Sequence, residues 1–224
     1  GTSVPKVVTI NVTPETDGAQ PLFANERVNT YEPGTQDEAT TARLADGGYV
    51  VVWTSTGQDG WGDGVHGQRY DARGVPVGSE FQVNSYTPNG QSAAAAAGLA
   101  DGGYVVLWQS NGQDGSSWGI HGQRYDAGGV PVGGEFQINT HAQNEQSDVD
   151  VAGLAGGGFV AAWYSYYQDG TYQDIYFQRF AADGSKLGAE TRANTSTGYE
   201  NAFQGTPAIT PLADGSFVVV WRGD

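Results

Sequence analysis

The chain has 224 residues with 25 Asp and Glu against 10 Lys and Arg, a formal net charge of −15, and neither cysteine nor methionine. Disulfides, thiolate metal sites and a thiol nucleophile are therefore excluded, and the acidic balance excludes partners that need a basic footprint, nucleic acid and anionic lipid. No apolar stretch reaches the length needed to span a bilayer, so membrane insertion is not expected. With 35 glycines, 12% aromatic and 16% charged residues, the composition is that of a turn-rich β protein, because repeated tight reversals need residues that tolerate positive φ.

In chain order, Lys6 to Thr13 and Leu22 to Asn29 read as two strands that precede a tandem repeat. Trp53, Trp108 and Trp163 are spaced by 55 residues, and Trp221 follows 58 later. They close the segments LADGGYVVVW (44–53), LADGGYVVLW (99–108), LAGGGFVAAW (154–163) and LADGSFVVVW (212–221). In each, a DG or GG pair marks a tight hairpin. Downstream, VHGQRYDARGVPVGSEFQVN (65–84), IHGQRYDAGGVPVGGEFQIN (120–139) and IYFQRFAADGSKLGAETRAN (175–194) read as a second hairpin. One unit thus holds four strands, A to D, at about 38–44, 48–54, 64–71 and 76–84 in the first copy. The C-terminal stretch supplies only A and B, at about 206–212 and 216–222.

This pattern predicts an all-β, four-bladed β-propeller of four-stranded antiparallel blades in one domain, 1–224. The B strands, such as Tyr49 to Trp53, are apolar on both faces, as sheets stacked face to face require. The run Ser92 to Ala97 is small, as suits a crowded innermost strand. Blades fall at 30–84, 85–139 and 140–194. The fourth combines 195–224 with 1–29, so that N- and C-terminal strands share one blade and close the ring, removing two exposed edges. An open array of sheets is the competing architecture.

The run DGGYVVVW, then GQDG, then HGQRYDARG and PVGSEFQVN resembles the tandem repeats of large secreted bacterial proteins of the RTX (haemolysin-type calcium-binding) and giant-adhesin kind, over essentially the whole chain. The resemblance implies export and a secreted or bacterial cell-surface setting. The RTX nonapeptide GGxGxDxUx is absent, so calcium binding by that roll is not implied.

Candidate site residues concentrate in the B–C loops, GQDGWGDG (57–64), GQDGSSWG (112–119) and YQDGTYQD (167–174), and in the D–A loops. Trp61, Trp118, Tyr166 and Tyr172, with Tyr31, Tyr86, His141 and Tyr199, would gather on one rim, where aromatic faces stack on sugar rings and Gln and Asp bond the hydroxyls. The alternative is that each ring covers its own loop. Asp59 with Asp63, and Asp169 with Asp174, offer carboxylate pairs for Ca²⁺, whose six to eight oxygens would come mostly from carbonyls and water. The repeated GlnAspGly triplets read more simply as turns. Glu38, Thr40, Asp148, Asp150 and Thr206 fall on alternate positions of strand A, able to line a central channel. His66 and His121, with Tyr176 at the same place in the third copy, read as scaffold.

No nucleophile stands beside a base, no carboxylate pair declares itself, and no metal-ligand spacing appears. The expectation is therefore a non-catalytic extracellular module that binds a glycan or a cell-surface or matrix component through an aromatic loop face, without catalytic residues. A spacer or assembly repeat of an adhesin or matrix is one alternative. A polysaccharide-acting enzyme using Asp63, Asp174 or Glu145 is the other.

Overall fold

The computed structural model describes residues 9–10, 26–170, 172–195 and 204–223. Among them the regular structure is entirely β. Strands β1 (Thr9–Ile10) and β2 (Glu26–Arg27) form a two-stranded sheet. Three four-stranded antiparallel sheets follow. The first holds β3 (Gln36–Arg43), β4 (Tyr49–Thr56), β5 (Asp63–Tyr70) and β6 (Pro76–Gln82). The second holds β7 (Gln91–Gly98), β8 (Tyr104–Asn111), β9 (Trp118–Tyr125) and β10 (Pro131–Gln137). The third holds β11 (Gln146–Gly153), β12 (Phe159–Tyr166), β13 (Gln173–Phe180) and β14 (Lys186–Arg192). Strands β15 (Gln204–Pro211) and β16 (Phe217–Gly223) form a last pair. The A–B turns are held alike in each copy. Gly47, Gly102, Gly157 and Gly215 take φ of 86–90°, a conformation cheap only for glycine.

The sheets stack face to face. Val50 and Val52 of the first meet Tyr104, Val106 and Trp108 of the second. Val105 and Leu107 meet Ala161 and Trp163 of the third, and Val160 and Ala162 meet Ile209 and Val219 of the last. The innermost strands β3, β7, β11 and β15 touch in succession. Their A–B turns converge on one pit of about 580 Å³ lined by Leu44, Leu99, Leu154 and Leu212 with the neighbouring alanines. The architecture is therefore propeller-like, with the sheets radiating from a common axis. A Cβ at Gly98 would lie 2.2 Å from the Arg43 carbonyl, and one at Gly153 would lie 2.1 Å from the Gly98 carbonyl. Only glycine permits this approach of inner strands. Arg43 and Pro211 hold the same position in the first and last copies, so those two seams are built differently.

Recurrent polar stitches align the copies. Asn84 accepts the Val65 amide at 2.7 Å and donates to Gln91 of the next sheet at 3.0 Å. Asn139 repeats this with Ile120 and Gln146. Arg69 reaches the carbonyls of Ala127 and Gly128 in the second unit.

The ends depart from expectation. Thr9 pairs with Arg27 and Ile10 with Glu26, as His66 pairs with Gln82 and Gly67 with Phe81; the D partners lie one 55-residue repeat apart and the C partners two residues further. The C and D reading of these residues thus agrees with their register. Yet β1–β2 and β15–β16 are separate two-stranded sheets, and among the described residues no ladder joins them. Val218 and Val220 are 45% and 57% exposed, whereas the equivalent Val50 and Val52 are fully buried. The outward face of β16 carries the apolar pattern of the covered β4, and Val218 and Val220 are exposed on it.

Candidate active site

The A–B turns lie at one end of the axis, so the D–A and B–C loops share the other. There each inner strand carries the same distortion. Glu38, Ala93, Asp148 and Thr206 hold φ of 50–52°, at the register shifts between Asp37 and Thr40 and their counterparts. Left-handed backbone costs a non-glycine residue roughly 1–2 kcal/mol, and the shift turns the side chain off its strand alternation. Position 38, 93, 148 or 206 therefore presents its side chain at the loop end of the axis in every copy.

This placement draws carboxylates from different repeats together. Partial burial, and then the negative charges of Glu145 and Glu38, raise the Asp148 carboxyl above the usual aspartate range, while a hydrogen bond with Thr206 works against the rise. Glu38 accepts the Ala93 amide at 2.8 Å and the Thr54 hydroxyl at 2.9 Å. Glu145 accepts the Tyr164 hydroxyl at 2.5 Å and the Ser147 hydroxyl at 3.1 Å. Burial pushes the Tyr164 phenol up, and Glu145 and Asp148 add to that, so Tyr164 remains a donor. Asp150, one pleat from Asp148, accepts the Ile209 amide at 2.7 Å and is a stitch to the last sheet.

Glu145 also lines a cleft of about 340 Å³ with Ser117, Asn144, Tyr166, Tyr167 and Tyr172. The rings of Tyr166 and Tyr167 each meet Tyr172 in T-shaped contacts, at 5.1 and 5.7 Å. Burial, a hydrogen bond with Tyr172 and the charges of Tyr172 and Glu145 push the Tyr166 phenol up to about 12. Of the aromatic residues expected on the rim, the structure brings Tyr166 and Tyr172 together and adds Tyr167.

The others make separate contacts. Trp61 is 66% exposed, its amide bonded to Asp59 at 3.0 Å, and Trp118 packs toward Gly90. Tyr31 bonds the Gly57 carbonyl at 3.4 Å. Tyr86 and His141 offer their carbonyls to Asn84 and Asn139. Tyr199 lies outside the described residues.

The carboxylates read as Ca²⁺ ligands make the following contacts. Asp59 caps its turn at Trp61, and Asp63 accepts the Thr56 hydroxyl at 2.6 Å. Asp169 pairs with Arg192, and Asp174 is bonded by Asn194 at 2.5 Å. Among the described residues no three His, Asp or Glu side chains converge as a metal site. The triplet glutamines Gln58, Gln113 and Gln168 each bond the D-strand glutamate of their own copy, Glu80, Glu135 or Glu190, so the triplet works as turn and brace.

No protein-family model and no curated protein matches the chain. Solved structures share the fold. An endo-arabinase from Bacteroides thetaiotaomicron superposes with TM-score 0.55 at 14% identity over 88% of this chain and 76% of its own. A protein of unknown function from Dyadobacter fermentans gives 0.54 at 9%, over 84% and 62%. An α-L-arabinofuranosidase from Lactobacillus brevis gives 0.51 at 11%, over 89% and 71%. Two of these three are glycosidases. The likeness overturns the expectation of a non-catalytic module without catalytic residues, because the blade array read as a passive scaffold is one on which glycosidases are built. Glu38, Glu145 and Asp148 share no linear spacing, so the electrostatic influence of the first two on the third leaves no signature in the sequence.

Proposed function

We propose that the protein is a polysaccharide-acting glycoside hydrolase whose active site is the loop-side mouth of the axis. The observation that carries this reading is the raised proton affinity of Asp148 between Glu145 and Glu38, supported by the fold shared with an arabinase and an arabinofuranosidase. Glycoside hydrolysis uses two carboxyl groups, one protonated and one ionised, on either side of the scissile bond. Asp148, its carboxyl raised above the usual aspartate range, is the group assigned to deliver a proton to the leaving glycosidic oxygen as the C–O bond breaks. Glu145, oriented by Tyr164 and Ser147, takes the proton of the water that adds to the anomeric carbon. Glu38, fixed by Ala93 and Thr54, is a positioning residue whose charge adds to the effect of burial and of Glu145 in raising Asp148.

In this reading the ring has four blades, and the fourth is completed when β1–β2 docks beside β16 over Val218 and Val220. The acidic, cysteine-free chain acts outside the cell on a glycan. Digestion of a polysaccharide panel that includes arabinan and xylan, followed by mass spectrometry of soluble products, tests the activity. Oligosaccharide release is expected, and absence of release from every polymer overturns the reading.

A further inference from the structure

Tyr167 occupies the position of Gly57 and Gly112 in the other copies, and all three residues have left-handed φ: 79° and 75° for the glycines, 53° for the tyrosine. In the first two copies the backbone demand is met by the residue suited to it. In the third a bulky aromatic is held in that conformation, with 52% of its surface exposed. A strained residue that a glycine could replace points to use of its side chain rather than to folding. Its ring stands beside Tyr172 at 5.7 Å and Tyr166 at 6.3 Å on the wall of the cleft that includes Glu145. Nothing comparable lines the first copy, where Gly57 and Gly60 stand before the outlying Trp61.

We infer that this cleft is a sugar-binding subsite in which an uncharged sugar ring stacks on Tyr167, its hydroxyls bonded by Asn144, Ser117 and Glu145. The apolar C–H face of a pyranose or furanose matches an exposed phenol ring, while its rim of hydroxyls needs the polar groups found at the cleft edge. The six lining residues include Glu145 and no cation, and the molecule carries a net charge of −15. Uronates and sulfated sugars are therefore repelled, and the class accepted is neutral. The subsite rests on the proposed hydrolytic reading for its orientation toward Asp148, but binding is separable from turnover.

The test is calorimetric titration of an Asp148→Asn background with arabino-, xylo- and manno-oligosaccharides and with an oligogalacturonate. Binding of at least one neutral oligosaccharide is expected, weakened about tenfold or more by Tyr167→Gly, as the loss of one stacking platform implies. Tyr167→Phe keeps the ring and should keep the binding. Thermal melting of Tyr167→Gly should be unchanged or higher, since glycine relieves the left-handed conformation, whereas a merely structural tyrosine would lower it on removal. Neutral binding without polymer hydrolysis supports the subsite and removes the hydrolytic reading. No neutral binding, equal binding by Tyr167→Gly, or equal affinity for the oligogalacturonate overturns the inference.

Discussion

Glu38 and Ala93 occupy the same place in successive repeats, and the carboxylate of the first accepts the backbone amide of the second at 2.8 Å. Both residues are left-handed, so the distortion that aims Glu38 at the axis also aims the Ala93 amide at Glu38. Removing the acceptor by Glu38→Ala also frees the Thr54 hydroxyl and should cost about 1.5–3 kcal/mol, the range for partly exposed hydrogen bonds to a charged group. Urea denaturation measures it, and Glu38→Gln, which keeps an acceptor, should lose less.

The asparagine stitches are a heavier test of the stacked arrangement. Asn84 is buried, and its loss leaves the Val65 amide and the Gln91 side chain without their partner. Asn84→Ala should destabilise by roughly 2–3 kcal/mol, the penalty for orphaning buried polar groups, read as a lower denaturation midpoint. A change within about 0.5 kcal/mol, the range of ordinary surface substitutions, would show that the second inner strand does not sit where described.

Gly153 tests the seam itself. Because a Cβ there meets the Gly98 carbonyl at 2.1 Å, Gly153→Ala must push two inner strands apart and should cost roughly 2 kcal/mol or more, as overpacking in a core does. Gly170, left-handed and with nothing within 4 Å of its virtual Cβ, is the contrasting site. Its replacement by alanine should show only the smaller penalty of a strained turn.

Burial lowers the proton affinity of His66 and of His121 below the ordinary value of 6.5. The unfolded chain therefore binds more protons than the folded one once pH falls below that value, so the stability is complete above it and is lost as pH drops. The third repeat places Tyr176 at this position, so the double variant His66→Tyr, His121→Tyr should fold. Its denaturation midpoint should fall less than that of the parent protein between about pH 7.5 and 5.5. Equal falls would assign the acid sensitivity to the carboxylates.

Much of the fold was legible because it repeats. Strands expected at about 38–44, 48–54, 64–71 and 76–84 are found at 36–43, 49–56, 63–70 and 76–82, since the DG turns and the doubly apolar B strands leave few alternatives. The polyalanine run was rightly placed innermost. The site was less legible. Asp148 and Glu38 were read as able to line a channel from their alternation, but the proposed role depends on a backbone shift and on Glu145 from the loop before β11, neither of which has a signature in spacing. Tyr166 and Tyr172 stood out as loop aromatics. Tyr167 was passed over, although its alignment with Gly57 and Gly112 was the signal that could have found it.

The most direct test of the axial site compares product release from a hydrolysed polysaccharide by the parent protein, by Asp148→Asn and by Asp71→Asn, a half-buried turn aspartate paired with Arg73 away from the axis. Asp148→Asn should lower the rate about 100-fold or more, as loss of a general acid does, without lowering the melting temperature, because the proton affinity of Asp148 is raised and its ionised form is the disfavoured one. Asp71→Asn should leave the rate intact. Equal rates for all three proteins would contradict the assignment of Asp148 as the acid and remove the axial mouth as the site of hydrolysis.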